Sequence, residues 1–73
     1  MIQFDYSKLR GRIREVFGTQ AKFANEMKIT TATLSSKLNN AVEFKQGEMD
    51  RACDLLTIGA SEIKDYFFTE KVQ

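Results

Sequence analysis

This chain has no covalent or metallic staple to rely on. It carries one cysteine, Cys53, and no histidine in 73 residues. A lone cysteine closes no internal disulfide, and the absence of histidine argues against a zinc module. A chain of this length buries only about 60% of the surface it exposes when unfolded. Its stability must therefore come from close packing of regular elements or from a partner. The apolar share of 42% and charged share of 29% are those of a soluble globular domain, here a single one over residues 1–73. No run approaches the ~18 apolar residues of a membrane span. The opening MIQFDYSKLR lacks the apolar stretch of a secretory leader. A cytoplasmic protein with no membrane partner is the expectation.

The same inventory restricts chemistry. Without histidine there is no imidazole acid or base and no Ser-His or Cys-His pair. The four glycines, Gly11, Gly18, Gly47 and Gly59, are scattered and form no phosphate loop. A domain this small has little room for a deep substrate pocket. The composition points to a binding module, not an enzyme, with no cofactor, metal or small-molecule substrate.

Apolar spacing predicts an all-α, compact five-helix domain. Leu9, Ile13, Val16 and Phe17 place one stripe on a helix from Tyr6 to Phe17. Asp5 is its expected N-cap, Phe4 a staple onto Leu9, and Gly18 its stop. Gly11 inside it costs about 1 kcal/mol relative to alanine unless it admits a close contact. Thr19 caps a second helix, Gln20 to Met27, whose inner side is Phe23, Ala24 and Met27. After Lys28-Ile29-Thr30, Thr30 caps a third helix, Thr31 to Leu38, with Leu34 and Leu38 inside. Asn39-Asn40 ends it, since asparagine tolerates the left-handed conformation. Val42 or Phe44 is expected to fold onto the core. A fourth helix, Gln46 to Leu56, buries Met49, Ala52, Cys53 and Leu56, with Lys45 a poor N-cap. Gly59 is expected to break the chain after Ile58. A fifth, Ala60 to Phe67, turns Ile63 and Phe67 inward. Tyr66, Phe67 and Phe68 cannot all point inward, so one is left for a dimer or partner contact. Residues 69–73 read as a loosely ordered tail.

Charge is unevenly distributed. Residues 1–40 carry a net +4 and residues 41–73 a net −3. A basic half beside an acidic half fits a surface for phosphates and another for a different partner. Arg10 and Arg14 share one side of the first helix, and Arg12 and Lys8 lie on the other flank. They read as a solvated rim.

Residues 20–39 are the most informative stretch. Two short helices are joined by a turn of three or four residues, and a small residue, Ala24, lets the second cross closely. The string Thr19-Gln20-x-x-Phe23-Ala24-x-x-Met27-x-Ile29-Thr30-x-x-Thr33-Leu34-Ser35-x-Lys37-Leu38-Asn39 resembles the Cro/repressor (Xre-type) helix-turn-helix of temperate phages of Gram-positive bacteria. The flanks Phe4-Asp5-Tyr6-Ser7-Lys8-Leu9 and Ile63-x-x-Tyr66-Phe67-Phe68 extend the likeness over nearly the whole chain, toward the modulator-of-repression proteins of lactococcal phages.

The resemblance implies a helix-turn-helix in helices 2 and 3 and a role in the lysis–lysogeny switch inside the bacterial host cell. By their place in the motif, Thr31, Ala32, Ser35 and Ser36 would face DNA or a partner. Gln20, Lys37, Asn39 and Asn40 would flank them as phosphate contacts. Two departures stand out. Lys28 sits where the family usually carries glycine in a left-handed turn. The four reading residues are short, and none offers the bidentate fork worth about 1–3 kcal/mol of base discrimination. The implied function is an antirepressor that binds the DNA-binding domain of a phage repressor and also contacts double-stranded operator DNA. The alternative is an autonomous, sequence-specific Cro-like repressor acting as a homodimer.

Overall fold

The computed structural model describes residues 3–71. The described chain is all-α: α1 Ser7–Phe17, α2 Gln20–Met27, α3 Thr31–Leu38, α4 Gln46–Leu56 and α5 Ile63–Phe67, with a 3-10 turn Ala60–Glu62 leading into α5. The predicted fifth helix is thus split, with a tighter first turn. Helix α1 packs against α2, α4 and α5, and α2 packs against α3 and α4. The core they enclose holds Leu9, Ile13, Phe23, Ala24, Leu34, Leu38, Ala52, Leu56 and Phe67 at its centre.

The predicted stripes are largely the buried ones, with differences in α1, α4 and α5; in α4 Met49, expected to be buried, is half-buried. Val16 lies on the solvent side of α1, and Phe17 is only half-buried. In α5 the buried pair is Tyr66 and Phe67, while Ile63 is half-buried and Phe68 is exposed. Between α3 and α4 it is Phe44 that packs on the core, and Val42 points out. Tyr6 and Ile58, outside the predicted stripes, are both buried. Tyr6 joins a chain of aromatic contacts in which its ring meets Phe44 at 5.3 Å and Phe44 meets Phe67 at 5.4 Å, both edge to face.

The helices are short, so their ends matter. Each leaves up to four carbonyls without an intrahelical donor. Four helices end in a residue of positive φ: Gly18 (83°), Lys28 (63°), Asn40 (64°) and Thr57 (55°). Only the first is glycine. Helix α4 ends at Leu56, as its spacing predicts, with Thr57 as the left-handed residue beyond it, and the Ile58 N–H closes it by donating to the Cys53 carbonyl at 2.9 Å. At the start of α1 the N-cap position falls on Tyr6, and Asp5, the predicted cap, lies one residue before it. Its carboxylate accepts from the Ser7 hydroxyl and the Ser7 N–H, which hold its pKa below the ordinary value. Lys45, which has no capping oxygen, is served by Glu48, whose carboxylate accepts the Lys45 N–H at 2.9 Å.

The described part of the predicted loose tail is bonded to the other end of the chain. Asp5 N–H donates to Thr69 O at 2.7 Å, Lys71 N–H donates to Gln3 O at 2.8 Å, and Phe4 and Glu70 form an antiparallel bridge. The Thr69 hydroxyl donates to Asp65 O at 2.8 Å. Residues 72 and 73 lie outside the described residues.

Two substitutions should stabilise the domain. A Cβ on Gly11 would meet nothing within 4 Å, so the glycine serves no internal close contact. Gly11→Ala should gain about 0.5–1 kcal/mol. Thr57, β-branched in a left-handed conformation, carries a cost of about 1–2 kcal/mol. Thr57→Gly should recover about half of it, the remainder going to unfolded-chain entropy. Thermal melts of a domain this size should show each as a rise of roughly 2–8 °C.

Candidate functional site

The helix-turn-helix is built locally. Thr19 adopts an extended conformation and its hydroxyl accepts the Lys22 N–H at 3.2 Å. Thr30 repeats this at α3, accepting the Thr33 N–H at 3.0 Å. Between them Lys28 takes the left-handed conformation (φ 63°, ψ 37°). Its N–H donates to Asn25 O at 3.1 Å and the Ile29 N–H donates to Ala24 O at 3.0 Å, which closes α2 with both bonds of a Schellman motif. Lysine thus fills the position the family gives to glycine. The apolar side of both helices, Phe23, Ala24, Met27, Leu34 and Leu38, is buried.

The outer face of α3 carries Thr31, Ala32 and Thr33, all exposed, with Ser35 and Ser36 half-buried beside them. Gln20 is half-buried at the start of α2. These short side chains bear no charge. Asn39 is exposed, but its carbonyl oxygen accepts from Arg10 at 2.8 Å and its amide donates to Ser35 Oγ at 3.3 Å.

Two expected phosphate contacts are committed elsewhere. Lys37 is buried, and its ammonium sits 2.9 Å from Glu48 Oε1 and donates to Glu43 O at 3.2 Å. It faces the α3–α4 interior because position 37 follows Leu34 by three residues, on the inner side of the helix. Asn40 is half-buried and uses both ends of its amide on Phe4, accepting its N–H and donating to its carbonyl, each at 2.9 Å. Neither group is presented to a ligand.

The basic N-terminal half is mostly self-engaged. Arg10 donates to Leu38 O at 3.0 Å, the last carbonyl of α3. Arg12 donates to Leu56 O at 2.9 Å, the last carbonyl of α4, and pairs with Glu15. From the other half, Arg51 donates twice to Glu26 O, at 3.0 and 3.2 Å, near the end of α2. Each guanidinium thus meets the negative end of a different helix. Lys8 lies 4.8 Å from the centre of the Tyr66 ring and 3.9 Å from Asp65, both contacts being at the surface. The solvated rim read from the sequence is, for Arg10 and Arg12, a pair of interhelical clamps. No spacing rule announces them, since their partners are 28 and 44 residues away. Of the seven cations in residues 1–40, Arg14, Lys22 and Lys28 remain without such a contact among the described residues.

The Lys37–Glu48 pair is the one buried charge in this region. Burial pushes the Glu48 carboxyl pKa up, but the Lys45 N–H and the Lys37 ammonium together outweigh it and hold the group below its ordinary 4.5. A depressed carboxylate stabilises the fold fully above its unfolded pKa, and that contribution is lost as pH falls through the folded value. Glu48→Ala should cost on the order of 3 kcal/mol at pH 7, because it strands a buried ammonium. Urea midpoints should fall for the native chain below about pH 4.5, and Glu48→Gln should remove part of that slope.

Comparison with known proteins places these features. Residues 2–70 match the family described as "Protein of unknown function (DUF739)". No curated protein matches the chain. The solution structure of the modulator of repression (MOR) of the temperate bacteriophage TP901-1 from Lactococcus lactis is similar, at 41% sequence identity and a TM-score of 0.81. That match covers 96% of this chain and 95% of the other. The resemblance to modulators of repression, carried by the Thr19–Asn39 string together with its flanks, is thereby borne out. Matched over nearly its whole length, the chain belongs to the DUF739 family.

Proposed function

We propose that this chain is a phage regulator of the lysis–lysogeny switch that acts as an antirepressor, binding the DNA-binding domain of a repressor through α3. The observation that carries this reading is the state of its cations. Lys8, Arg10, Arg12 and Lys37 are taken up by contacts within the fold, and the face of α3 is left short and uncharged. Duplex binding draws most of its affinity from neutralised phosphates and its specificity from side chains that read base edges. Thr31, Ala32, Ser35 and Ser36 supply little of either. Small side chains on a helix do allow another helix to approach closely, as protein packing requires. The likeness to a modulator of repression supports the same reading.

The second reading, a Cro-like repressor that binds operator DNA as a homodimer, is favoured by the helix-turn-helix arrangement itself and by Gln20, Arg14 and Lys22 around the start of α2. In the bacterial host cell the two activities can coexist in a complex with the repressor that also touches DNA.

Fluorescence anisotropy separates them. Labelled operator carrying the repressor encoded in the same genome should be released as this chain is added. The chain alone should bind the same DNA only in the micromolar range or weaker, as non-specific binding does. Tight, sequence-dependent binding of the chain alone, with a steep salt dependence, would overturn the antirepressor reading. Thr31→Arg and Ser35→Arg should each weaken repressor release at least tenfold.

A further inference from the structure

The segment after α3 is held more firmly than its position between two helices requires. Ser36 O accepts the N–H groups of both Ala41 and Val42, at 2.9 and 3.3 Å. Asn40, in the left-handed conformation, is tied to Phe4. The buried Lys37 ammonium reaches the next carbonyl, that of Glu43, and anchors it to Glu48. A buried ion pair gives little net stability against an apolar replacement of similar volume. Its consequence here is geometric, since it fixes the course of residues 41–44. That fixed course holds Val42 in water with half of its surface exposed, more than any other large apolar side chain among the described residues. Beside it is Glu43, also exposed and the only charged residue between Leu38 and Lys45. An exposed valine and a carboxylate next to the recognition helix are unfavourable neighbours for a phosphate backbone. They are favourable ones for a protein whose surface is cationic.

We infer that the loop of residues 41–44, held by Lys37, extends the docking surface of α3 onto the basic DNA-reading face of the repressor, with Val42 as the apolar anchor and Glu43 as the ion-pairing group. The inference rests on the antirepressor reading above. A surface that binds DNA is necessarily rich in lysine and arginine, so a carboxylate at the edge of α3 complements it and helps steer association. Rigid presentation matters because a loop that must be ordered on binding loses affinity to that ordering.

The test is titration of the full-length repressor from the same genome with this full chain and its variants, read by calorimetry at two salt concentrations. Val42→Asp and Glu43→Lys should each weaken binding at least tenfold with unchanged helical circular dichroism. Glu43→Gln should weaken it a few-fold and flatten its salt dependence. The paired replacement of Lys37→Met with Glu48→Gln, which keeps an acceptor for the Lys45 N–H, should keep the fold while loosening the loop, and should also weaken binding. If the native chain binds and both Val42→Asp and Glu43→Lys bind within twofold of it, the loop is not part of the surface and the inference fails alone. If the native chain does not bind the repressor, the antirepressor reading fails and the inference fails with it. Should Val42→Asp unfold, Glu43→Lys decides the matter, since its side chain is exposed and replaces one charged group by another.

Discussion

Closure of helix C-termini is the constraint on which this structure depends. In a chain whose helices run from five to eleven residues, carbonyls without an intrahelical donor are a large fraction of the backbone. Isolated helices of this length are marginal in water. Two devices close the ends. A left-handed residue follows each of α1 to α4, turning the chain so that its next N–H groups meet the last carbonyls. Three arginines then reach across from a neighbouring helix to the ends of α2, α3 and α4. The second device also fixes how the helices sit on one another, because each guanidinium joins two elements far apart in sequence.

This use of arginine shapes what the surface can do. A guanidinium that donates to a helix-terminal carbonyl is not free to neutralise a phosphate. The charge asymmetry between the two halves of the chain is therefore a poor measure of a DNA-binding face. Much of the positive charge is structural, and α3, the element proposed to meet a partner, is one of the least charged. The helix-turn-helix framework is retained while the electrostatics that usually accompany it on DNA are reduced. On the function proposed above, a protein partner fits such a face better than a duplex.

Lys37 and Glu48 add a polar element to an otherwise apolar core. Among the described residues no buried side-chain nitrogen or oxygen lacks a partner: the ammonium meets Glu48 and the Glu43 carbonyl, and the carboxylate meets Lys37 and the Lys45 N–H. The pair thus links α3, the loop after it and the first turn of α4. Cys53, by contrast, behaves as a small core hydrophobe. Burial first, then the neighbouring Asp50 and Asp54, push its thiol pKa up and away from reactivity.

The sequence by itself determined the helices, their inner faces and the helix-turn-helix. Those features rest on local rules: apolar residues three and four apart, threonine hydroxyls within reach of the third N–H, and a small residue at Ala24. It also showed that the outer face of α3 is short-chained, because residue identity alone decides that. Helix stops were legible at Gly18 and at the Asn39-Asn40 pair. The end of α4 at Leu56 was legible too, but not the left-handed residue after it, because at Thr57 a β-branched side chain takes a conformation that propensity argues against. The fate of the charges was decided by tertiary structure alone. Whether Lys37 meets phosphate or Glu48, and whether Arg10 and Arg12 are solvated or clamp distant carbonyls, depends on which elements lie opposite them. That juxtaposition is a property of the packed fold, since the interacting groups are separated by up to 44 residues of chain.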